Sequence, residues 1–294
     1  MNLRLGTRTS KMALYQASLV KDFLYASDSS LSIEIVPIES DGNCSVFEGK
    51  GKFVKNIDTA LITGEIDFSV NCMKDIPNDH ERTKGIKIFS TLPRGDMRDA
   101  LILGKLTSLD DLDKKNVVIG SSSPRRKAIL KNIYPMCSVR DIKGNADTRV
   151  SKLENGDYDA LVLSTAGLIR IGLEHKISKI YSVDEFTPAL GSGIITMDSL
   201  CQNTTVKNVL RKINDHETYY EMIIERSILN QINGNCETEI GCYYTKERYS
   251  QSITVRANIS NQVIEIKQSY NMIECPYLLG TKIGEKILKK ALTI

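Results

Sequence analysis

Apolar and polar positions in the first two-thirds of the chain alternate between two periods. Leu3–Thr7 (LRLGT) is a short apolar run entering a glycine turn, which predicts a strand. Ser10 then stands as an N-cap for a helix to about Tyr25, with Met12, Leu14, Leu19, Val20 and Phe23 as its apolar positions. LSIEIVPI (31–38) predicts the next strand. FVKNIDTALITG (53–64) predicts an amphipathic helix stopped by Gly64. IDFSVNC (66–72) predicts a third strand, ending just before Met73-Lys74-Asp75. This βαβαβ order predicts a mainly parallel sheet with helices on its faces.

The pattern restarts after Thr91–Asp99, a turn-rich linker. ALILG and NVVIGSSS predict strands, and the second runs into Ser121-Ser122-Ser123-Pro124, where Pro124 opens a helix. DALVLSTAGLIRIG repeats the strand-to-helix passage around Ser164–Gly167. Thr187–Ile195 (TPALGSGII) reads as a second crossing strand or hinge. The tail differs in kind: a helix over Thr218–Gln231, strands near 238–244, 251–259 and 262–270, and a last helix over 276–292. The expected division is 1–94 with 193–212 as a first α/β domain, 98–187 as a second, and 216–294 as a small α+β domain.

Composition changes this picture little. Apolar residues make up 41% and charged residues 26%, ordinary for a globular chain, and the net charge of +3 is too mild to argue for nucleic acid. No apolar run approaches the ~18 residues of a membrane helix, and the first residues lack the apolar core of a signal peptide. A cytoplasmic protein with no membrane partner is therefore expected. The seven cysteines (44, 72, 137, 201, 236, 242, 275) include no CxxC pair, and the three histidines form no HExxH. Neither a disulfide framework nor a metal site is expected. Inert burial is the ordinary state of such cysteines. Cys236, in the polar glycine-containing stretch QINGNCETEIG, is chemically available, and its local sequence leaves its use open.

Ligands in open α/β sheets sit outside the carboxyl ends of the strands. Applied to both predicted sheets, that rule gathers Thr7–Ser10, Asn71–Asp75, Ser121–Arg126, Lys143–Arg149 and Ser164–Gly167. These segments hold hydroxyls, N–H donors at helix starts, and guanidinium or ammonium groups. Together they suit a carboxylate or phosphate ligand. Asp75 is the acid among them that follows a lysine at a strand end, where it could hold a developing cation or shuttle a proton. Asp67, Asp99, Asp147 and Asp159 are alternative acids. GKGKF (49–53) lacks the Walker A spacing and reads better as a basic loop.

The segments GTRTSKMALYQA, GKGKFVK, FSVNCMKDIP, MRDALI, GSSSPRRKAIL, KGNADTRVSKLENGDYDALVLSTAGLIRIGL, PALGSGII and ERSILNQINGNCETEIG occur in this order over most of residues 3–242. This series resembles the porphobilinogen deaminase (hydroxymethylbilane synthase) family. The resemblance implies two periplasmic-binding-protein-like α/β domains joined by two hinge crossings, plus a small C-terminal α+β domain. It implies a monomeric transferase of tetrapyrrole biosynthesis, without a metal. Such an enzyme condenses four porphobilinogen molecules head to tail, releases ammonia, and yields linear hydroxymethylbilane. It also implies a dipyrromethane cofactor held by a thioether to Cys236. On the matching positions Asp75 is catalytic; Lys74, Ser123, Arg125, Arg126, Lys143 and Asn145 meet the cofactor; and Arg8, Ser10, Lys50, Arg149, Arg170 and Ser192 meet the substrate.

The chain departs from the family pattern at several of these places. Asn71 and Cys72 replace a usual His-Ser pair, Lys143 a usual arginine, Ser192 a usual glutamine, and Asn235 a usual glycine. Asn43 stands where an acid is usual, and Pro124 where leucine is common. Asp75, Cys236 and most arginines are retained, so an active but divergent enzyme is expected. A non-catalytic relative binding an anionic pyrrole in the same cleft is the alternative, although simple binding requires neither Asp75 nor Cys236.

Overall fold

The computed structural model describes residues 1–39, 52–106, 108–114, 116–235, 237–248, 250–260 and 262–293. The chain opens with β1 (Asn2–Arg8), α1 (Lys11–Ser27), β2 (Ser32–Ile38), α2 (Lys52–Ile62), β3 (Phe68–Cys72) and β4 (Ile86–Thr91). It continues with β5 (Asp99–Leu103), β6 (Val118–Gly120), α3 (Pro124–Ile133), β7 (Ser138–Arg140), α4 (Ala146–Glu154), β8 (Ala160–Ser164), α5 (Thr165–Arg170) and β9 (Lys179–Ile180). Then follow β10 (Ile195–Leu200), α6 (Thr204–Arg211), α7 (His216–Gln231), β11 (Ile240–Lys246), β12 (Gln251–Ile259), β13 (Gln262–Tyr270) and α8 (Pro276–Ala291).

The chain forms two compact units. The first comprises Met1–Gly95, Ile194–Cys236 and Pro276–Gly280; the second comprises Asp96–Gly193, Glu237–Cys275 and Thr281–Ile294. The first unit holds a five-stranded sheet of order β2-β1-β3-β10-β4, and the second a five-stranded sheet of order β7-β6-β8-β5-β9. In each sheet the first three strands pair in parallel, and the fourth runs antiparallel to both neighbours. The sheets are thus mainly parallel, as the βαβαβ rhythm predicts. The antiparallel strand is the one that enters after each crossing between units: β5 on the way out and β10 on the way back. β3 and β8 are almost wholly buried along their length, as expected for strands covered on both faces.

Local signals account for most elements. Ser10 caps α1, accepting a hydrogen bond from the Ala13 N–H at 3.3 Å, and Ser123 caps α3, with Pro124 in its first turn. Gly64 has φ +72°, a left-handed conformation that ends the α2 segment cheaply only for glycine. One detail of α1 differs from expectation. Its buried face is Ala13, Gln16, Ala17, Val20 and Leu24, whereas Leu14 and Phe23 are exposed. The small side chains of Ala13 and Ala17 make up much of the face in contact with the core, a pattern that a search for large apolar residues misses. β4, α4 and α6 were not predicted, α6 despite Val206, Val209, Leu210 and Ile213 recurring at helical spacing, and β7 and β9 are too short to show a period.

The third sheet, β11-β12-β13, is wholly antiparallel and belongs to the second unit. Its first strand is joined to the crossing segment by a bridge between Ala189 and Gly241 and by the Cys242 N–H donating to the Pro188 carbonyl at 2.9 Å. A Cβ on Gly241 would stand 2.3 Å from that carbonyl oxygen, so the approach requires glycine. Among the described residues, no helix is long and apolar enough to cross a membrane.

Candidate functional site

In the first unit β1 and β3 run side by side, with Leu5 opposite Phe68 and Gly6 opposite Ser69. Their carboxyl ends therefore deliver Arg8 and the 3-10 turn Met73–Asp75 to one edge. The buried Thr7 hydroxyl fixes this edge. It lies 3.3 Å from the Ala13 carbonyl and 3.4 Å from the Val70 carbonyl, linking strand, helix and neighbouring strand. Arg8, Ser10, Gln16, Asn71, Cys72 and Asp75 line a small cavity here. Arg8 Nη1 lies 3.9 Å from Asp75 Oδ2, and the two side chains are 24% and 36% exposed. A ligand can therefore reach both. Gln16, a polar residue on the buried face of α1, donates from Nε2 to Cys72 Sγ at 3.0 Å.

Behind the cavity lies a buried polar cluster. Asn71 Nδ2 donates to Asp198 Oδ2 at 2.7 Å and to Ser69 Oγ at 3.1 Å. Arg82 donates to Asp198 at 3.0 Å and to Asp58 at 3.2 Å. Burial pushes the Asp58 carboxyl upward against the pull of Arg82. Burial also disfavours the Arg82 cation, but Asp198 and Asp58 more than offset it and its pKa is raised.

In the second unit the strand ends are joined through serine. Ser122 Oγ donates to the Ile142 carbonyl at 2.8 Å and accepts from its N–H at 2.9 Å. This brings the start of α3, with Ser123, next to the segment that begins α4. Asn145 stands at the N-cap of α4 without a side-chain cap bond, and Arg149 Nε donates to the Gly144 carbonyl at 2.7 Å. Lys143 and Asn145 are exposed.

Asp99 is the centre of this unit's electrostatics. Because β5 runs antiparallel, its first residue lies opposite Ser164, at the carboxyl end of β8. Asp99 is 1% exposed. It accepts from Arg125 Nη2 at 2.6 Å and from Arg126 Nη2 and Nε at 2.6 and 3.1 Å. Burial opposes its ionisation, but the two guanidinium groups win and hold the carboxyl below its ordinary value. Burial likewise lowers the Arg125 pKa. Arg125 also donates to the Thr187 carbonyl at 2.6 Å, and Arg126 to the Val162 carbonyl at 3.0 Å.

A family model described as "Porphobilinogen deaminase, dipyromethane cofactor binding domain" matches residues 3–208, well over half of the chain. The chain belongs to the porphobilinogen deaminase family. Several solved structures are similar at low identity. The periplasmic VFT2 domain of Bordetella pertussis BvgS is 15% identical, over 77% of this chain and 92% of that chain, with a TM-score of 0.43. The methionine-binding protein MetQ is 13% identical, over 75% and 93%, at 0.48. The probable amino-acid transporter binding protein ytmK of Bacillus subtilis is 13% identical, over 78% and 96%, at 0.43. The fold class rests on the strand orders and the family match, not on these scores.

The donor set fits the family's cofactor. N–H groups at two helix starts, Ser123, Lys143 and Arg149 are hydrogen-bond donors of the kind that bind the acetate and propionate groups of a dipyrromethane. Of the residues assigned from the family pattern, Arg8, Ser10, Lys74 and Asp75 gather in the first unit. Ser123, Arg125, Arg126, Lys143, Asn145 and Arg149 gather in the second. Arg170 donates to the Gly193 carbonyl at 2.7 Å, and Ser192 is buried in the turn before it. Lys50, Cys236 and the departure at Asn43 lie outside the described residues.

Four alternative acids are also placed. Asp67 and Asp159 precede β3 and β8, at the opposite ends from the site. Asp67 is bound by Arg4 at 3.0 Å, and Asp159 accepts from the Val118 N–H at 2.8 Å. Asp147 lies in the first turn of α4 and accepts from the Thr148 N–H, while Asp99 is buried under two arginines. Gln16 and the Asp58–Arg82–Asp198 cluster were missed by sequence reasoning. Gln16 had one local signal, an uncharged polar residue three positions after Ala13 on an otherwise apolar stripe.

Proposed function

We propose that this protein is a hydroxymethylbilane synthase, condensing four porphobilinogen molecules head to tail with loss of ammonia. The observation that carries the reading is the cavity of the first unit, where Asp75 stands half-exposed beside Arg8 and Ser10 at a strand end. Loss of ammonia from the aminomethyl group of porphobilinogen leaves a cationic methylene-pyrrolenine. A carboxylate beside the ring nitrogen stabilises that cation, and the same group can accept a proton as aromaticity returns. Asp75 is assigned this role. Arg8 and Ser10 bind the substrate's carboxylates and hold the ring against Asp75. Ser123, Arg149, Lys143 and the open N-terminus of α4 bind the carboxylates of pyrroles already in place. Lys143 supplies charge without the bidentate geometry of arginine. Arg125 and Arg126 act through Asp99, which they lock beneath the helix start.

A dipyrromethane, when bound, supplies the free pyrrole α-carbon from which the chain grows. Cys236 is the residue assigned to hold it by a thioether, in a third domain spanning 216–294. The reading takes the protein as a cytoplasmic monomer, with porphobilinogen as its substrate and no metal.

Intact-mass measurement of the purified protein tests the reading. The expected result is an adduct of two linked pyrroles, absent in Cys236→Ser, together with ammonia release from added porphobilinogen. An unmodified mass from cells that make porphobilinogen, with no ammonia released, would favour the non-catalytic pyrrole-binding relative.

A further inference from the structure

Helix α7 carries Met222, Arg226 and Asn230 at successive spacings of four, which places them on one face. That face lies along the segment that begins at the turn bearing Asp75. Met73 packs in a buried cluster with Met222 and Ile194. Arg226 Nη2 donates to the Pro77 carbonyl at 3.0 Å and pairs with Asp79. Asn230 donates from Nδ2 to Asp79 Oδ2 at 2.7 Å, and its Oδ1 accepts from the Asp79 N–H at 3.0 Å.

One bond extends this track past the helix. α7 ends in a Schellman motif: the Gly234 N–H donates to the Leu229 carbonyl at 2.8 Å, and the Asn233 N–H to the Asn230 carbonyl at 3.1 Å. Asn233 takes the left-handed position, φ +50°. The Gly234 carbonyl is thereby aimed at the segment after Asp75, where it accepts from the buried Asn78 Nδ2 at 2.9 Å. Asn78 also accepts at Oδ1 from the Glu81 N–H at 3.2 Å. Its amide is thus oriented from both ends.

We propose that Asn78 and Asp79 are positioning residues that couple the turn bearing Asp75 to the chain leading into Cys236. This rests on the functional reading above, in which Cys236 receives the cofactor. Asn78 fixes Gly234, two residues before the thiol. Asp79 fixes Arg226 and Asn230, which hold the last turns of the helix. Neither residue touches substrate. Their effect is on where the attachment loop leaves the helix relative to Asp75. The ion pair of Arg226 with Asp79 has only one buried partner, since Arg226 is 10% and Asp79 61% exposed. Its strength as a bare charge pair is therefore modest, and the doubly bonded Asn230–Asp79 contact supplies the geometry.

The test measures cofactor loading separately from turnover. Apoprotein of the unaltered chain, Asn78→Ala and Asp79→Ala is supplied with porphobilinogen, and the adduct mass is followed with time well below each unfolding midpoint. Both variants are expected to load more slowly, by on the order of tenfold or more. Once fully loaded, their KM for porphobilinogen should match that of the unaltered enzyme. Asp79→Glu, which retains the carboxylate, should recover much of the loading rate. Normal loading rates in both alanine variants would overturn the proposal. So would a fall in unfolding midpoint with no change in loading, because that is the signature of a purely structural contact. Absence of an adduct in the unaltered chain would instead sink the functional reading, and it is seen in the control before any variant is compared.

Discussion

The two five-stranded units share a plan and use it differently. Each places three parallel strands beside one antiparallel strand, and each gathers serine, arginine and helix starts at the carboxyl ends. Each also brings an aspartate to that end. In the first unit it is Asp75, on a turn after β3, 36% exposed and 3.9 Å from a single arginine. In the second it is Asp99, at the start of the antiparallel β5, 1% exposed and gripped by two arginines at 2.6 Å. The same residue type is a reachable reagent in one unit and a buried brace in the other. The difference lies in how many cations satisfy it and how much water reaches it.

Replacing the two acids is the strongest way to break this comparison. Asp75→Ala is expected to lower turnover by about 10²–10⁴-fold while leaving the unfolding midpoint nearly unchanged. Steady-state ammonia release and a thermal melt on the same sample check both parts. Near-normal turnover would move the chemical role to another acid. Asp99→Ala should do the reverse in kind, costing about 3–5 kcal/mol of stability because Arg125 and Arg126 are left without their carboxylate. Denaturant unfolding reads that loss, and a variant as stable as the original chain would show that Asp99 is not a brace.

Titration separates buried acids in the two units. The Asp99 pKa is depressed in the folded state. Its contribution is complete above the unfolded carboxylate value of about 3.9 and fades as pH falls through the lower folded value. Asp58, in the first unit, is shifted the opposite way by burial. Its contribution is present below the unfolded value and is lost as pH rises through the folded value. Asp99→Asn should therefore flatten the acid limb of the stability profile. Asp58→Asn should bring a relative gain on the neutral side. Profiles of unfolding midpoint against pH, with both variants beside the original chain, distinguish the two signs.

The smallest expected effect concerns Cys72. It lines the cavity with Asp75, and Gln16 donates to its sulfur. A serine hydroxyl can accept the same bond, so Cys72→Ser should change turnover little. Attaching a bulky thiol reagent to Cys72 should block turnover by filling the cavity. Full activity after complete alkylation of Cys72, verified by peptide mass, would argue that the cavity of the first unit is not where substrate binds.

Local sequence signals made much of the fold legible. Ser10 and Ser123 mark helix starts, Gly64 marks a helix end, and the strand spans of the C-terminal sheet follow apolar alternation closely. Short elements were less legible: β7 has three residues and β9 two, too few to show a period. The chemistry of the site was legible as residue types at strand ends. Its polar partners were not. Asn71 and Asp198 meet across strands far apart in the chain, and nothing near either residue announces the other.

The sequence by itself determined most of the elements and their order, the helix starts at Ser10 and Ser123, the family, and the segments carrying hydroxyls, cations and Asp75, because each is written in neighbouring residues. Only the tertiary structure decided that β5 and β10 enter their sheets antiparallel. That insertion carries Asp99 to the binding end of its sheet and sets Asp198 beside Asn71. It also decided that Asn78 reaches the carbonyl of Gly234. The physical reason is common to all three. Sheet register and helix docking are set when distant apolar surfaces close on each other, and the polar groups carried with them find partners that no local spacing specifies.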